Sequence, residues 1–303
     1  MCRLLGWVRD REASVEEVLG PEGLAGFTSL TAVHADGWGM AWRGDDGRTH
    51  TTASPEKADA DPEYDAHVRQ PLGRAGLLHL RWATGGLPVA PRNTHPFFEG
   101  DHAFAHNGHV SPIADLEALL TPECRERLVG DTDSERYFRF VLQCVEEKGD
   151  LEAGVRHALA VLVEHFPSSS LNALMLTPTH LVAIHVNSRA DSPVEGLRAL
   201  FDDADDVPPR HLTEYFAMDY RVDEHGIVVI SSGLDEEGWT PVEGDTAVMI
   251  DLVTQDVTRI DPVLAMQDEV PDEVPEGTRE GPGGSARVRP ARPPRSPAAR
   301  RRS

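Results

Sequence analysis

Met1-Cys2-Arg3-Leu4-Leu5-Gly6-Trp7-Val8 opens the chain, and the reading of this stretch decides the fold. Residues 4–8 form a short apolar run of strand character directly after a cysteine at the second position. Methionine is ordinarily trimmed ahead of a small residue, so the mature chain is expected to begin with a thiol and an α-amine on one residue. Such an amine titrates at about pH 7.7–8.0, and its neutral fraction can take the thiol proton directly or through a water. The plainer reading is a small buried cysteine with no chemistry. Which one holds depends on what the rest of the chain supplies.

Outward from this strand, apolar runs alternate with turn chemistry as far as Pro262, and no repeat of solenoid period is visible. Further strands are expected at 37–42, 77–82, 103–106, 171–176, 181–186, 214–218, 227–231 and 247–252, with a hairpin turn at Thr177-Pro178-Thr179. Two helices carry a clear period: Tyr137, Phe140, Val141, Cys144 and Val145, then Val155, Ala158, Leu159, Leu162, Val163 and Phe166. Asp133 and Ser134 are candidate caps for the first, Gly149 closes it, and Asp150 is the candidate cap of the second. Strands at both ends with helices between them favour a layered α+β domain of mainly antiparallel sheets. The domain is expected over residues 1–262. Residues 263–303 lose their aromatics to Pro, Gly, Ser, Glu and Arg, the composition of a disordered basic tail, with seven arginines and no acid in residues 281–303.

The 303-residue chain has a formal net charge of −22, which disfavours nucleic acid and anionic membrane as partners. Three cysteines, at positions 2, 124 and 144, are too few and too odd for a disulfide framework, so a cytoplasmic location is expected. No apolar run approaches the roughly 18 residues of a membrane span, and the opening residues lack the charged-then-apolar pattern of a secretory leader, so neither export nor membrane insertion is expected.

Four other segments supply partners for a nucleophile. Residues 76–86 end an apolar strand in Arg81, Trp82 and Thr84. There a guanidinium grips an α-carboxylate bidentately with a hydroxyl beside it, or makes a structural ion pair. Asn107-Gly108 reads either as a tight turn or as two N–H donors converging on an oxyanion. Asp133, in G-D-T-D-S-E, is a helix cap or the partner of a substrate ammonium. The stretches at 34–42 and 93–97, with Gly37, Gly39, His95 and Pro96, read as scaffold for the pocket.

Taken in order, M-C-R-L-L-G-W, H-L-R-W-A-T, N-T-H-P-F, A-H-N-G and G-D-T-D-S-E resemble the class II glutamine amidotransferase domain of the N-terminal-nucleophile hydrolases, over roughly residues 2–255. The resemblance implies a four-layer αββα sandwich of two antiparallel sheets flanked by helices. It implies Cys2 as nucleophile, Asn107 and Gly108 as oxyanion hole, and Arg81 and Asp133 as binding the substrate headgroup, with no cofactor; Trp82 and Thr84, beside Arg81, are expected to bind substrate with it. Gly85 departs from the histidine that some fused synthases carry there. The reaction implied is hydrolysis of a γ-glutamyl amide through a thioester. Glutamine would yield ammonia for a separate acceptor synthase; a γ-glutamyl conjugate, as in ergothioneine biosynthesis, would yield another amine.

Two rival readings remain. His79, His95, His102, His106 and His109 fall within 31 residues, and His102 and His106 have the i, i+4 spacing of helical metal ligands. On a strand that spacing separates them by about 13 Å, so no metal is expected. The other rival is a non-catalytic scaffold whose arginine tail recruits an acidic partner.

Overall fold

The computed structural model describes residues 2–83, 88–203, 206–208, 210–234 and 238–262. The removal of Met1, the roles of Thr84 and Gly85 and the tail expected at 263–303 fall outside the described residues. Met1–Asp268 group into one compact unit.

Among the described residues the strands form two sheets, and every pairing is antiparallel. The first contains β1 (Arg3–Ala13), β2 (Trp38–Arg43), β3 (Thr49–Ser54), β4 (Gly73–Leu80), β9 (Met218–Asp223), β10 (Gly226–Ser231) and β11 (Thr240–Pro241). The second contains β5 (Phe97–Glu99), β6 (His102–His109), β7 (Ser170–Leu176), β8 (His180–His185), β12 (Thr246–Asp251) and β13 (Val257–Ile260). Their orders are β11-β9-β10-β1-β4-β2-β3 and β13-β12-β8-β7-β6-β5.

Alternation along β1 sets the layers. Leu4 and Val8 point between the sheets, where they meet Ala105, Leu174 and Leu181 of the second sheet. Leu5 and Trp7 point outward, against Leu24 and Phe27 of α1 (Val15–Ser29) and Tyr64 of α2 (Pro62–Arg69). Each fully buried leucine is worth roughly 1.5–3 kcal/mol of transfer free energy, so the strand that follows Cys2 is held from both faces. At Gly6 an added Cβ would lie 3.0 Å from both Leu174 and Leu181, so glycine lets the sheets approach. The second sheet's outer face is covered by α5 (Asp133–Lys148) and α6 (Leu151–His165), through Tyr137, Val141, Val155 and Leu159 on Phe104, Met175 and Val182. Short helices α3 (Ile113–Ala118), α4 (Pro122–Glu126) and α7 (Val194–Arg198) complete the described helices of four residues or more. The result is the αββα sandwich. No helix among the described residues is long and apolar enough to cross a membrane.

Local expectations fare unevenly. Gly149 ends α5 at φ 66°, and Asp150 caps α6 by accepting from the Ala153 N–H at 2.8 Å. Thr177 Oγ1 accepts from the Thr179 and His180 N–H groups in the expected hairpin. The cap of α5, however, is Thr132, whose hydroxyl takes the Glu135 N–H at 3.2 Å; Asp133 is the first helical residue. The turn reading of Asn107-Gly108 is also overturned, because both residues pair with β7 and β6 runs on to His109. Residues 214–217 are turns, and the strand begins at Met218.

Candidate active site

Cys2 lies one residue ahead of β1, which is paired on both sides, with Arg3 opposite Leu80 of β4 and Leu5 opposite Ile230 of β10. It shares the face of Leu4 and therefore looks into the space between the sheets. Across that space Asn107 shares the face of Ala103 and Ala105 on β6 and looks back. The Cys2 N–H donates to Asn107 Oδ1 at 2.8 Å. Asn107 is fully buried, and its Nδ2 has no hydrogen-bond partner among the described residues. Gly108 follows where no side chain fits, since a Cβ would lie 1.9 Å from the Ser170 carbonyl oxygen.

The thiol is buried, and its Sγ lies 3.9 Å from the Trp82 carbonyl oxygen. Burial pushes its pKa up; the His79 ring and the charge of the chain's amino terminus outweigh this and bring it down to about 6.

Arg81 stands just beyond β4, where the backbone hydrogen-bonds Arg81 N–H to Gly37 O at 2.8 Å and Asp36 N–H to Arg81 O at 2.9 Å. Its side chain is buried and donates to Asp36 O at 3.4 Å. Among the described residues no carboxylate lies within 4.0 Å of the guanidinium, so the structural ion pair considered above is not formed there. A buried guanidinium without a counter-charge is costly, and an incoming carboxylate relieves it. Asp36 Oδ2 accepts from Ala83 N–H at 2.8 Å and so holds the segment carrying Trp82.

Asp133 is buried at the start of α5. Its Oδ2 accepts from Val110 N–H at 2.6 Å and lies 3.4 Å from His109 Nδ1. Burial opposes ionisation, but His109, His106 and the Val110 N–H together hold the carboxyl below its ordinary range. His106, pointing to the helix side with Phe104, accepts or donates at both nitrogens: Nε2 faces Ser170 O at 2.8 Å and Nδ1 faces Ser134 Oγ at 2.9 Å. A carbonyl oxygen can only accept, so the proton sits on Nε2 and Ser134 donates to Nδ1.

The glycine-rich and N-T-H-P-F stretches serve as scaffold by direct contact. At Gly39 a Cβ would lie 2.1 Å from the His95 carbonyl oxygen, so only glycine lets the 93–97 turn close on β2. Asn93 Oδ1 accepts from Asp131 N–H at 2.9 Å, and Glu135 accepts from Val129 and Gly130 N–H, which ties that turn to the loop before Asp133.

Cys2, Arg81, Trp82, His106, Gly108 and Asp133 thus line one cavity of about 20 Å³, room for about one water. An amino acid requires it to widen. Asn107 reaches it through Cys2, while Thr84 lies outside the described residues. Sequence reasoning weighed His79 only as a metal ligand and placed His95 at the pocket as scaffold. Their ring centroids lie 4.2 Å apart, tilted by 32°, and the available signal for His79 was its period-two spacing with Leu77 on β4. Of the five clustered histidines, His79, His102, His106 and His109 stand on strands and His95 in the turn before β5; among the described residues no three His, Cys, Asp or Glu side chains form a group that could hold a metal ion.

Known proteins resemble this chain in sequence and in fold. The family described as Glutamine amidotransferases class-II matches residues 1–249. The γ-glutamyl-hercynylcysteine sulfoxide hydrolase of Mycolicibacterium smegmatis is 26% identical over 229 residues, which cover 71% of this chain and 95% of that protein. The glutamine–fructose-6-phosphate aminotransferase of Pseudomonas syringae pv. tomato is 31% identical over 156 residues, 48% of this chain but only 23% of that protein. The chain thus matches about a quarter of such synthases' length. Among solved structures, a glutamine aminotransferase class-II domain protein from Silicibacter pomeroyi superposes with a TM-score of 0.57 at 19% identity, over 86% of this chain and 99% of that one. The glutamine phosphoribosylpyrophosphate amidotransferase of B. subtilis gives 0.56 at 15% identity, over 86% and 49%. At such identities the structures speak for the fold.

Proposed function

This chain belongs to the class II glutamine amidotransferases, a family of enzymes, and from that membership we propose that it hydrolyses a γ-glutamyl amide through a thioester on Cys2. The observation that carries the reading is the pairing of Cys2 N with Asn107 Oδ1 while Asn107 Nδ2 has no partner among the described residues. With Met1 removed, that nitrogen is the α-amine, anchored by the same residue that offers a spare donor to an oxyanion.

Arg81 takes the α-carboxylate of the glutamyl headgroup, Asp133 its ammonium, and Trp82, with Thr84 beyond it, closes over the bound group. The thiolate attacks the γ-carbonyl carbon, and the oxygen takes up charge between Asn107 Nδ2–H and Gly108 N–H. The amine leaves with a proton from the Cys2 α-ammonium. Water then cleaves the thioester, releasing glutamate and restoring the thiol. We place the reaction in the cytoplasm on the sparse cysteines. Residues 263–303 are proposed as a separate basic tail, dispensable for turnover.

Glutamine and a larger γ-glutamyl conjugate are both consistent with the headgroup contacts. The conjugate is favoured by the match spanning 95% of a γ-glutamyl conjugate hydrolase; glutamine would oblige a separate synthase to take the ammonia. The test is glutamate release by Met-trimmed protein from glutamine and a panel of γ-glutamyl amides, beside Cys2→Ala. Turnover of at least one amide by the wild type alone is expected, and equal rates in the two proteins refute the mechanism.

A further inference from the structure

We propose that Ser170 is a positioning residue that grips the Asn107 carbonyl and thereby aims and polarises the Gly108 N–H, the other end of the same peptide, as an oxyanion donor. The inference rests on the proposed oxyanion hole and adds what holds its backbone half in place. Ser170 is the first residue of β7, stands opposite His109 and is buried. Its Oγ–H donates to Asn107 O at 3.0 Å. Its own carbonyl accepts from His106 Nε2–H at 2.8 Å, and a Cβ on Gly108 would lie 1.9 Å from that oxygen. One residue therefore meets the Asn107–Gly108 peptide with both its side chain and its backbone.

Strand pairing fixes where the Gly108 N–H points. Leu171, the residue opposite Gly108, donates its N–H to Val186 O at 2.8 Å, on the β8 side. When one member of an antiparallel pair turns its N–H away, so does the other, and the Gly108 N–H therefore leaves β6 by its far edge. On that edge β5 pairs only with residues 102–104, and Gly108 lines the cavity with Cys2. The peptide is trans, so its carbonyl points the opposite way, toward β7 and the Ser170 hydroxyl. Hydrogen bonds at the two ends of one peptide reinforce each other. Charge gathering on the γ-carbonyl oxygen draws on the Gly108 N–H, density moves to Asn107 O, and the Ser170 proton meets it there. Pairing of β6 with β7 ends one step further on, at His109 and Ser170, so the hydroxyl tethers this peptide where the ladder runs out.

Asn107–Gly108 is the one Asn-Gly step in the sequence, so protein labelled with ¹³C at asparagine carbonyls and ¹⁵N at glycine gives a single NMR peak for this peptide, read without any turnover. In Ser170→Ala the Gly108 ¹⁵N resonance should move upfield, because the carbonyl of its peptide loses a hydrogen bond. In Ser170→Thr, which keeps the hydroxyl, it should stay near its wild-type position. A resonance that does not move in Ser170→Ala, or moves equally in both variants, overturns the proposal. With a γ-glutamyl amide that the wild type turns over, Ser170→Ala should lower kcat about 3- to 10-fold, the range of one hydrogen bond's net worth, with KM within about twofold. Ser170→Thr should recover most of that loss. An unchanged kcat in Ser170→Ala, or a loss carried by KM alone, is equally fatal. Should Ser170→Ala fail to fold, Ser170→Cys, whose thiol is a weak donor, takes its place with the same expected outcomes. A moved resonance in a protein that cleaves no γ-glutamyl amide would leave the Ser170 tether standing and refute the proposed reaction.

Discussion

Replacing Asn107 by aspartate separates the two jobs assigned to one side chain. The carboxylate keeps an oxygen where Oδ1 now accepts from Cys2 N at 2.8 Å, but removes the Nδ2 donor that has no other partner among the described residues. Loss of one oxyanion-hole donor typically costs about 100- to 1,000-fold in kcat, equivalent to about 2.7–4 kcal/mol. The proposed grip on the headgroup lies elsewhere, at Arg81 and Asp133, so KM should change by only about threefold. Asn107→Ala is the paired control. It loses the donor and also leaves the buried Cys2 N–H unpaired, adding about 1–3 kcal/mol of destabilisation visible as a lower Tm. Steady-state glutamate release across pH 6–9 reads kcat and KM, and the whole range must be covered because the introduced carboxylate also opposes the thiolate. A kcat within threefold of wild type at the best pH of each protein would remove Asn107 from the oxyanion hole and leave it as a backbone anchor.

Asp133→Asn should raise KM for whichever γ-glutamyl amide the wild type turns over about 10- to 100-fold with a smaller change in kcat, since the proposed counter-charge of the substrate ammonium is lost. The same carboxyl titrates below its ordinary range when folded. Its contribution to stability is therefore complete above the unfolded value of about 3.9 and lost as pH falls through the lower folded value. Thermal melts below about pH 4 should accordingly fall less steeply with pH in Asp133→Asn than in wild type. Gly39→Ala would set a Cβ 2.1 Å from the His95 carbonyl oxygen and 2.8 Å from Pro96 Cδ. Such overpacking costs about 1–3 kcal/mol, so Tm and kcat should fall together. Gly244→Ala, where nothing lies within 4 Å of the added atom, should stay within about 0.5 kcal/mol; equal melts for the two would refute the scaffold role of Gly39.

The parts of this molecule legible in sequence are those whose signal is local. Period and caps announced α5 and α6, and short apolar runs announced β1, β7 and β8, because each element is specified by its own residues. α1 escaped although Ser14 and Glu17 form a complete capping box, since Gly20 at φ 78° and Pro21 interrupt its apolar period. At the site, Cys2, Arg81, Gly108 and Asp133 were legible as residues of the right chemistry, yet the local rule was misleading at two of them. Asn107-Gly108 has the composition of a turn and Asp133 that of a cap, but β7 pairing and the Thr132 hydroxyl decide otherwise. Those reversals carry the functional argument. An Asn-Gly kept in mid-strand forgoes its turn, and an aspartate relieved of capping keeps its carboxylate inside the site. What the sequence hid is the contact between His79 and His95: a tilted ring pair between β4 and a distant turn, which closes on β2 because Gly39 has no side chain. No spacing within either segment encodes that contact, so it shows only in three dimensions.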